Sequence, residues 1–176
     1  FACAGILFNH EAPRRGLTFI TRKISMGAAC LATGLKWIPQ NEIGEPLINS
    51  QKKLAVGNLE SKRDWGFAGD YVEAMWAMLQ QPQAEDYVIG TGETHSVREL
   101  IQTAFEVAGI PHWESHITTD PRFYRPAEVD LLFADPAKAR KKLNWKPKTS
   151  FKQLVELMVK HDIKFVEDQI RSNRSL

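Results

Sequence analysis

The run Cys3–Phe8, CAGILF, is short, apolar and unbroken, and the polar stretch NHEAPRRG follows it at once. A continuous apolar run of this length suits a strand buried on both faces of a parallel sheet, where no face is left for polar side chains. Parallel strands need long crossover connections, usually helical, so the chain is directed to an α/β architecture. A buried strand at the opening is expected of a chain that continues a larger sheet, as in a truncated or proteolysed protein. Left alone, such a chain is expected to be marginal or self-associating, because the apolar strand lacks its neighbours. Open α/β sheets bind ligands just beyond the carboxyl ends of their strands, which makes NHEAPRRG the first candidate site.

Strand and helix signals alternate from there on. Thr18 is placed to cap a helix carrying Phe19, Ile20, Ile24 and Leu31, closed by a glycine near Gly34. Residues 36–53, KWIPQNEIGEPLINSQKK, lose all period and hold two prolines and a glycine, the pattern of an inserted loop. LAVGN (54–58) and YVIGTG (87–92) read as short strands. Between them a helix over 70–80 sets Tyr71, Ala74, Met75, Met78 and Leu79 on one face. Ser96 with Glu99 forms a capping box for a helix that ends at Gly109. HWESH (112–116) reads as strand, where His112 and His116 share a face without a third metal ligand. Asp135–Pro136 opens a short helix. Ser150 with Gln153 starts the last one, whose stripe is Phe151, Leu154, Val155, Met158, Val159 and Ile163. The polar tail 169–176 is expected to fray.

The charge balance excludes some partners. With 23 basic against 21 acidic side chains, the net charge of +2 is too small and too dispersed for counterion-release binding to nucleic acid. Cys3 and Cys30 lie in apolar surroundings without metal or redox spacing, so they read as reduced packing residues. No segment approaches the roughly 18 uninterrupted apolar residues of a membrane span, and a cytoplasmic location is the expectation.

Several stretches, in order, carry a resemblance: NHEAPRRG, TFITRKIS, VGNLESKRDWGFAGDYVEAMW, TGETHSVRE, FYRPAEVD and KLNWKP. Together they resemble the GDP-mannose 4,6-dehydratases, members of the extended short-chain dehydrogenase/reductases. The resemblance covers nearly all of the chain except the insertion and the tail. It implies an α/β fold: the last part of a Rossmann-type, NADP-binding domain plus its smaller C-terminal substrate-binding lobe. The corresponding division is 1–35 for the Rossmann remnant, 36–53 for the inserted loop, 54–168 for the sugar-nucleotide-binding lobe and 169–176 for a flexible tail. For the full enzyme it implies NADP-dependent conversion of GDP-mannose to GDP-4-dehydro-6-deoxy-D-mannose, in a homodimer or homotetramer. The family's phosphate loop and its catalytic Thr, Glu, Tyr and Lys lie N-terminal to the strand with which this chain opens. The chain has no GxGxxG, and none of Tyr71, Tyr87 and Tyr124 is followed by a lysine four residues on. The expectation is therefore no catalytic residue and no metal ligand here, and a chain inactive without its missing N-terminal Rossmann segment.

The resemblance assigns His10 and Arg15 to NADP, and Asn9, Lys23, Arg63, Arg125 and Glu128 to the sugar nucleotide. The residue types suit the task, since a guanidinium forks onto two phosphate oxygens and a carboxylate accepts from hydroxyls or ring nitrogens. Arg14 is open to an oligomer contact or solvent, Asp64 and Trp65 are expected to position and pack, and the other histidines to lie at the surface. The chain departs from the family pattern at Ala12, Phe67, Gly69 and Ala127, where Ser, His, Lys and Thr are usual, and above all in the insertion. Two other readings compete: another extended-family enzyme acting on GDP-sugars, such as a 4-keto reductase or epimerase, and a non-catalytic remnant.

Overall fold

The computed structural model describes residues 1–124, 129 and 131–173. In chain order they form β1 (Gly5–Leu7), β2 (Asn9–Glu11), α1 (Ile20–Ala32), β3 (Leu54–Val56), β4 (Lys62–Arg63), β5 (Trp65–Phe67), α2 (Ala68–Leu79), β6 (Tyr87–Ile89), β7 (His95–Ser96), α3 (Val97–Val107), β8 (Ile117–Thr119), α4 (Ala137–Leu143) and α5 (Phe151–Asn173). They fall into two compact units, each drawn from three stretches: 1–12, 61–95 and 129–154 in the first, and 13–60, 96–128 and 155–176 in the second. The chain thus crosses between units five times, whereas the sequence expectation cuts it into consecutive blocks.

In the first unit β1 pairs in parallel with β6, Ile6 opposite Val88, and β2 pairs in parallel with β5, His10 opposite Gly66. Both pairs show the parallel pattern expected from the apolar opening, and α2 lies between β5 and β6, which belong to different pairs. Two details differ from the expectation. The stretch Asn9–Glu11 is strand rather than loop, because its backbone pairs with Trp65–Phe67. Ile6 is 57 % exposed, so β1 is not covered on both faces. Tyr71, Ala74 and Met78 of α2 are buried with Tyr87, Ile89 and Trp145, but Met75 and Leu79 are exposed. With Val72 and Trp76 they make an outward apolar stripe at the helical spacing.

In the second unit β3 pairs in parallel with β8, Ala55 opposite Thr118, and α1 packs near α3. Thr18 does not cap α1; Phe19 holds that position and makes no side-chain cap. Gly34 has φ +75 just past the helix end, the conformation that glycine was expected to supply there. α3 starts with the full capping box: Ser96 Oγ accepts from the Glu99 amide and the Glu99 carboxylate from the Ser96 amide. Residues 113–116 form a 3-10 turn rather than strand, with strand only from Ile117. α5 runs on to Asn173, through the first residues of the expected tail. Leu154, Val155, Met158 and Val159 bury its stripe. No helix among the described residues is long and apolar enough to cross a membrane.

Residues 36–53, expected to be an inserted loop, have structure of their own. Leu47 and Ile48 are fully buried, and residues 39–47 form a small antiparallel hairpin, with Leu47 N–H donating to the Pro39 carbonyl and Asn41 N–H to that of Glu45. Asn41 Oδ1 accepts from the amides of Ile43 and Glu45, and Gly44 turns the tip at φ +78.

Candidate functional site

In the first unit, the parallel register of β2 and β5 sets the polar residues after β1 beside the RDW segment. Asn9 lies opposite Trp65, and Arg63 stands two residues before it. Asn9 and His10 are half-buried. His10 Nδ1–H donates to the Phe8 carbonyl at 2.8 Å, which in the neutral ring leaves Nε2 as an acceptor. Its ring leans on Tyr71, 5.5 Å between centroids. Arg63 donates from Nη1 to the Lys62 carbonyl at 2.7 Å.

Asp64 and Trp65 hold this arrangement. The Asp64 carboxylate is inaccessible and accepts three hydrogen bonds, from Thr91 N–H (2.9 Å), Thr91 Oγ (2.7 Å) and Gly92 N–H (2.8 Å). It ties the segment after β4 to the turn after β6. Trp65 is buried and stacks on Phe151, and the His95 ring stacks on the same phenyl at 3.8 Å, so His95 is a packing group rather than a surface one. Asp70 is also buried: its Oδ2 accepts from the amides of Lys148 and Thr149, and its carbonyl from Trp145 Nε1. Gly66 allows the approach of Tyr71, whose ring and hydroxyl would lie 2.4 and 2.6 Å from any Cβ at that position.

In the second unit, the segment before α1 is held by a pair that the sequence reading did not single out. Arg22 donates from Nε to Asp162 Oδ2 and from Nη2 to Oδ1, both at 2.9 Å, while Ser25 Oγ donates to the same carboxylate at 2.6 Å. The remaining guanidinium nitrogen donates to the carbonyls of Pro13 and Arg15, fixing the backbone from which Arg14 and Arg15 project. Asp162 is fully buried on the apolar side of α5, four residues after Met158 and four before Val166. A lone acid inside an apolar stripe was the available signal. The Arg15 guanidinium lies 3.5 Å over the Phe19 ring, and Arg14 is exposed. Lys23 is 3 % exposed, with Nζ bonded to Glu42 at 3.0 Å and lying 3.4 Å over the Phe123 ring. Burial lowers its pKa from the ordinary lysine value, and Glu42 partly restores it. Arg125 and Glu128 lie outside the described residues.

The model of the family described as GDP-mannose 4,6 dehydratase matches residues 1–158. The chain belongs to the GDP-mannose 4,6-dehydratase family. It is 46% identical over 167 residues to GDP-mannose 4,6 dehydratase 1 of Arabidopsis thaliana, a match covering 95% of this chain and 42% of that protein. The human GDP-mannose 4,6 dehydratase is 44% identical over 182 residues, covering 94% of this chain and 45% of the relative. The chain thus spans under half the length of these relatives. Among solved structures, RMD from Pseudomonas aeruginosa complexed with NADPH superposes with a TM-score of 0.76 at 21% identity, over 93% of this chain and 48% of that one. A dTDP-glucose 4,6-dehydratase from Bacillus anthracis in complex with NAD gives 0.72 at 17% identity. These likenesses establish the Rossmann-type extended reductase fold. The Asp64 clasp belongs to the RDW segment from which the resemblance was read, whereas Glu42 lies in the 36–53 segment, outside the motifs that carried it.

Proposed function

We propose that this chain is the sugar-nucleotide-binding part of a GDP-mannose 4,6-dehydratase, a lyase that in full converts GDP-mannose to GDP-4-dehydro-6-deoxy-D-mannose. The observation that carries the reading is identity of 44–46% to such enzymes across nearly the whole chain, supported by the buried clasp that fixes the segment beside Arg63. In the first unit, Arg63 grips the diphosphate and Asn9 faces the sugar nucleotide. In the second, Lys23 is a phosphate or nucleotide contact. Arg125 and Glu128 complete the assignment on the resemblance alone.

NADP is the cofactor in this reading, and the donor set fits it: His10 Nε2 is left able to accept from a ribose hydroxyl, and Arg15 offers a fork for phosphate. Bound NADP would supply the hydride acceptor and donor that the conversion at C4 and C6 of the hexose requires. This chain's own residues bind and orient, and the acid–base groups come from the N-terminal segment. A homodimer or homotetramer in the cytoplasm is part of the same proposal.

The test is an assay of the full-length protein with GDP-mannose, following loss of one water from the sugar nucleotide by mass spectrometry. Conversion that weakens in Arg63→Met chiefly through KM supports the reading. No conversion of GDP-mannose, with turnover of a 4-keto GDP-sugar instead, would assign the chain to the reductase or epimerase reading.

A further inference from the structure

The insertion brings two carboxylates onto two cations of the second unit. Glu42 bonds Lys23, and Glu45 bonds Arg122 through both of its oxygens, at 2.9 and 3.1 Å. Arg122 also pairs with Asp120 at 2.7 Å. The cluster therefore holds three carboxylates against two cations, a local balance that repels a further anion. Arg122 draws the pKa of both Glu45 and Asp120 below the ordinary carboxylate range, so both are ionised near neutrality. The hairpin tip is pre-shaped to present Glu42 and Glu45 by the Asn41 side chain and Gly44, and Leu47 and Ile48 anchor its base in the core. Phe123 is fixed over Lys23 by a close backbone approach, since a Cβ on Gly57 would lie 2.4 Å from the Phe123 carbonyl oxygen. Glu42 is the carboxylate bonded to the Lys23 ammonium beneath the Phe123 ring, so it competes with an incoming phosphate for the same charge.

We propose that the insertion is a built-in competitor at the anion position of Lys23: Glu42 occupies the place of a diphosphate, and the hairpin sets how tightly the second unit holds a nucleoside diphosphate. This rests on the assignment of Lys23 to the nucleotide. A ligand that needs Glu42 displaced binds with its intrinsic Kd divided by the fraction of time the hairpin is open, and so more weakly. Replacing Glu42 by glutamine keeps an oxygen for Lys23 and removes the charge, so it raises that fraction.

The experiment is calorimetric titration of the full chain with GDP, and with guanosine as the probe lacking phosphate, for wild type, Glu42→Gln and Glu42→Gln/Lys23→Met. Far-UV spectra establish that each is folded, and Glu42→Ala replaces any glutamine variant that is not. The expected result is GDP binding tighter by on the order of tenfold in Glu42→Gln, guanosine unchanged, and the gain lost in the double variant. Equal GDP affinity in wild type and Glu42→Gln overturns the competitor while leaving the nucleotide reading standing. GDP binding by neither overturns both. A gain that survives Lys23→Met overturns the role given to Lys23.

Discussion

Asp64 is the residue on which the first unit's candidate site hangs, and Asp64→Asn isolates its part. The carboxylate uses Oδ1 for both groups of Thr91 and Oδ2 for the Gly92 amide. An asparagine that keeps its oxygen toward Thr91 turns its NH2 toward the Gly92 N–H, donor against donor; the flipped amide sets its NH2 against the Thr91 N–H instead. Gly90 packs closely beside this carboxylate: a Cβ there would lie 3.1 Å from Asp64 Oδ2 and 2.3 Å from the Ala134 Cβ. The variant therefore loses one charge-assisted bond, weakens two others and strands a buried amide, a cost of about 2–4 kcal/mol.

The cost is local, so amide exchange reads it best. At a tenfold change for each ~1.4 kcal/mol, the Thr91 and Gly92 amides should exchange roughly 30-fold to 1,000-fold faster in Asp64→Asn, if exchange follows the opening equilibrium. Hydrogen–deuterium exchange mass spectrometry of a peptide spanning 90–95 measures this, with the α3 peptide as internal control. Exchange within threefold of wild type in that peptide would refute the argument, since it would mean the three bonds contribute nothing to holding the turn.

Asp162→Asn leaves the Arg22 guanidinium without its charge partner in a site where Asp162 is fully buried, a loss of about 3–5 kcal/mol. At ~2–4 °C per kcal/mol for a chain of this size, the melting midpoint should fall by roughly 6–20 °C in scanning calorimetry, and a fall under 2 °C would show that the pair is not what holds α1 to α5. Tyr71→Phe should be neutral or stabilising by up to ~1 kcal/mol, because the buried hydroxyl has no hydrogen-bond partner among the described residues; a melting point lowered by several degrees would reveal one. Burial, then Asp162, raises the Cys30 thiol from 9.0 to about 12, and burial with Asp64 and Glu11 raises Tyr71 above its ordinary value. Both groups keep their proton in the folded chain where the unfolded chain has lost it. Stability is therefore full below pH 9 and declines above it, at up to ~1.4 kcal/mol per pH unit from Cys30 alone until about pH 12. Denaturant midpoints at pH 8 and 10.5 measure the decline, and Cys30→Ala should flatten its first part.

What the sequence made legible is what local chemistry decides. The Ser96–Glu99 box, the glycine stop after α1 and the stripe of α5 each follow from spacing alone, and each is present in the structure. Where the reading went astray, partners distant in sequence had decided. Asn9–Glu11 has the composition of a loop, yet it is strand because β5 lies beside it, fifty-six residues on in register. Met75 and Leu79 fit the helical period of the buried face as well as Ala74 and Met78 do, and period alone cannot say how wide the covered stripe is. Lys23 shows the same limit in chemical terms. The resemblance assigns it to the nucleotide, but in the structure its partner is Glu42, from a segment whose turn residues announce a loop and give no hint of where the loop returns. The hairpin's two glutamates are ordinary surface residues in sequence and meet Lys23 and Arg122 in the structure, with Leu47 and Ile48 rooting the hairpin in the core of the second unit. A motif can therefore name the family while the partners of a motif residue such as Lys23 are decided by a segment that carries no motif of its own.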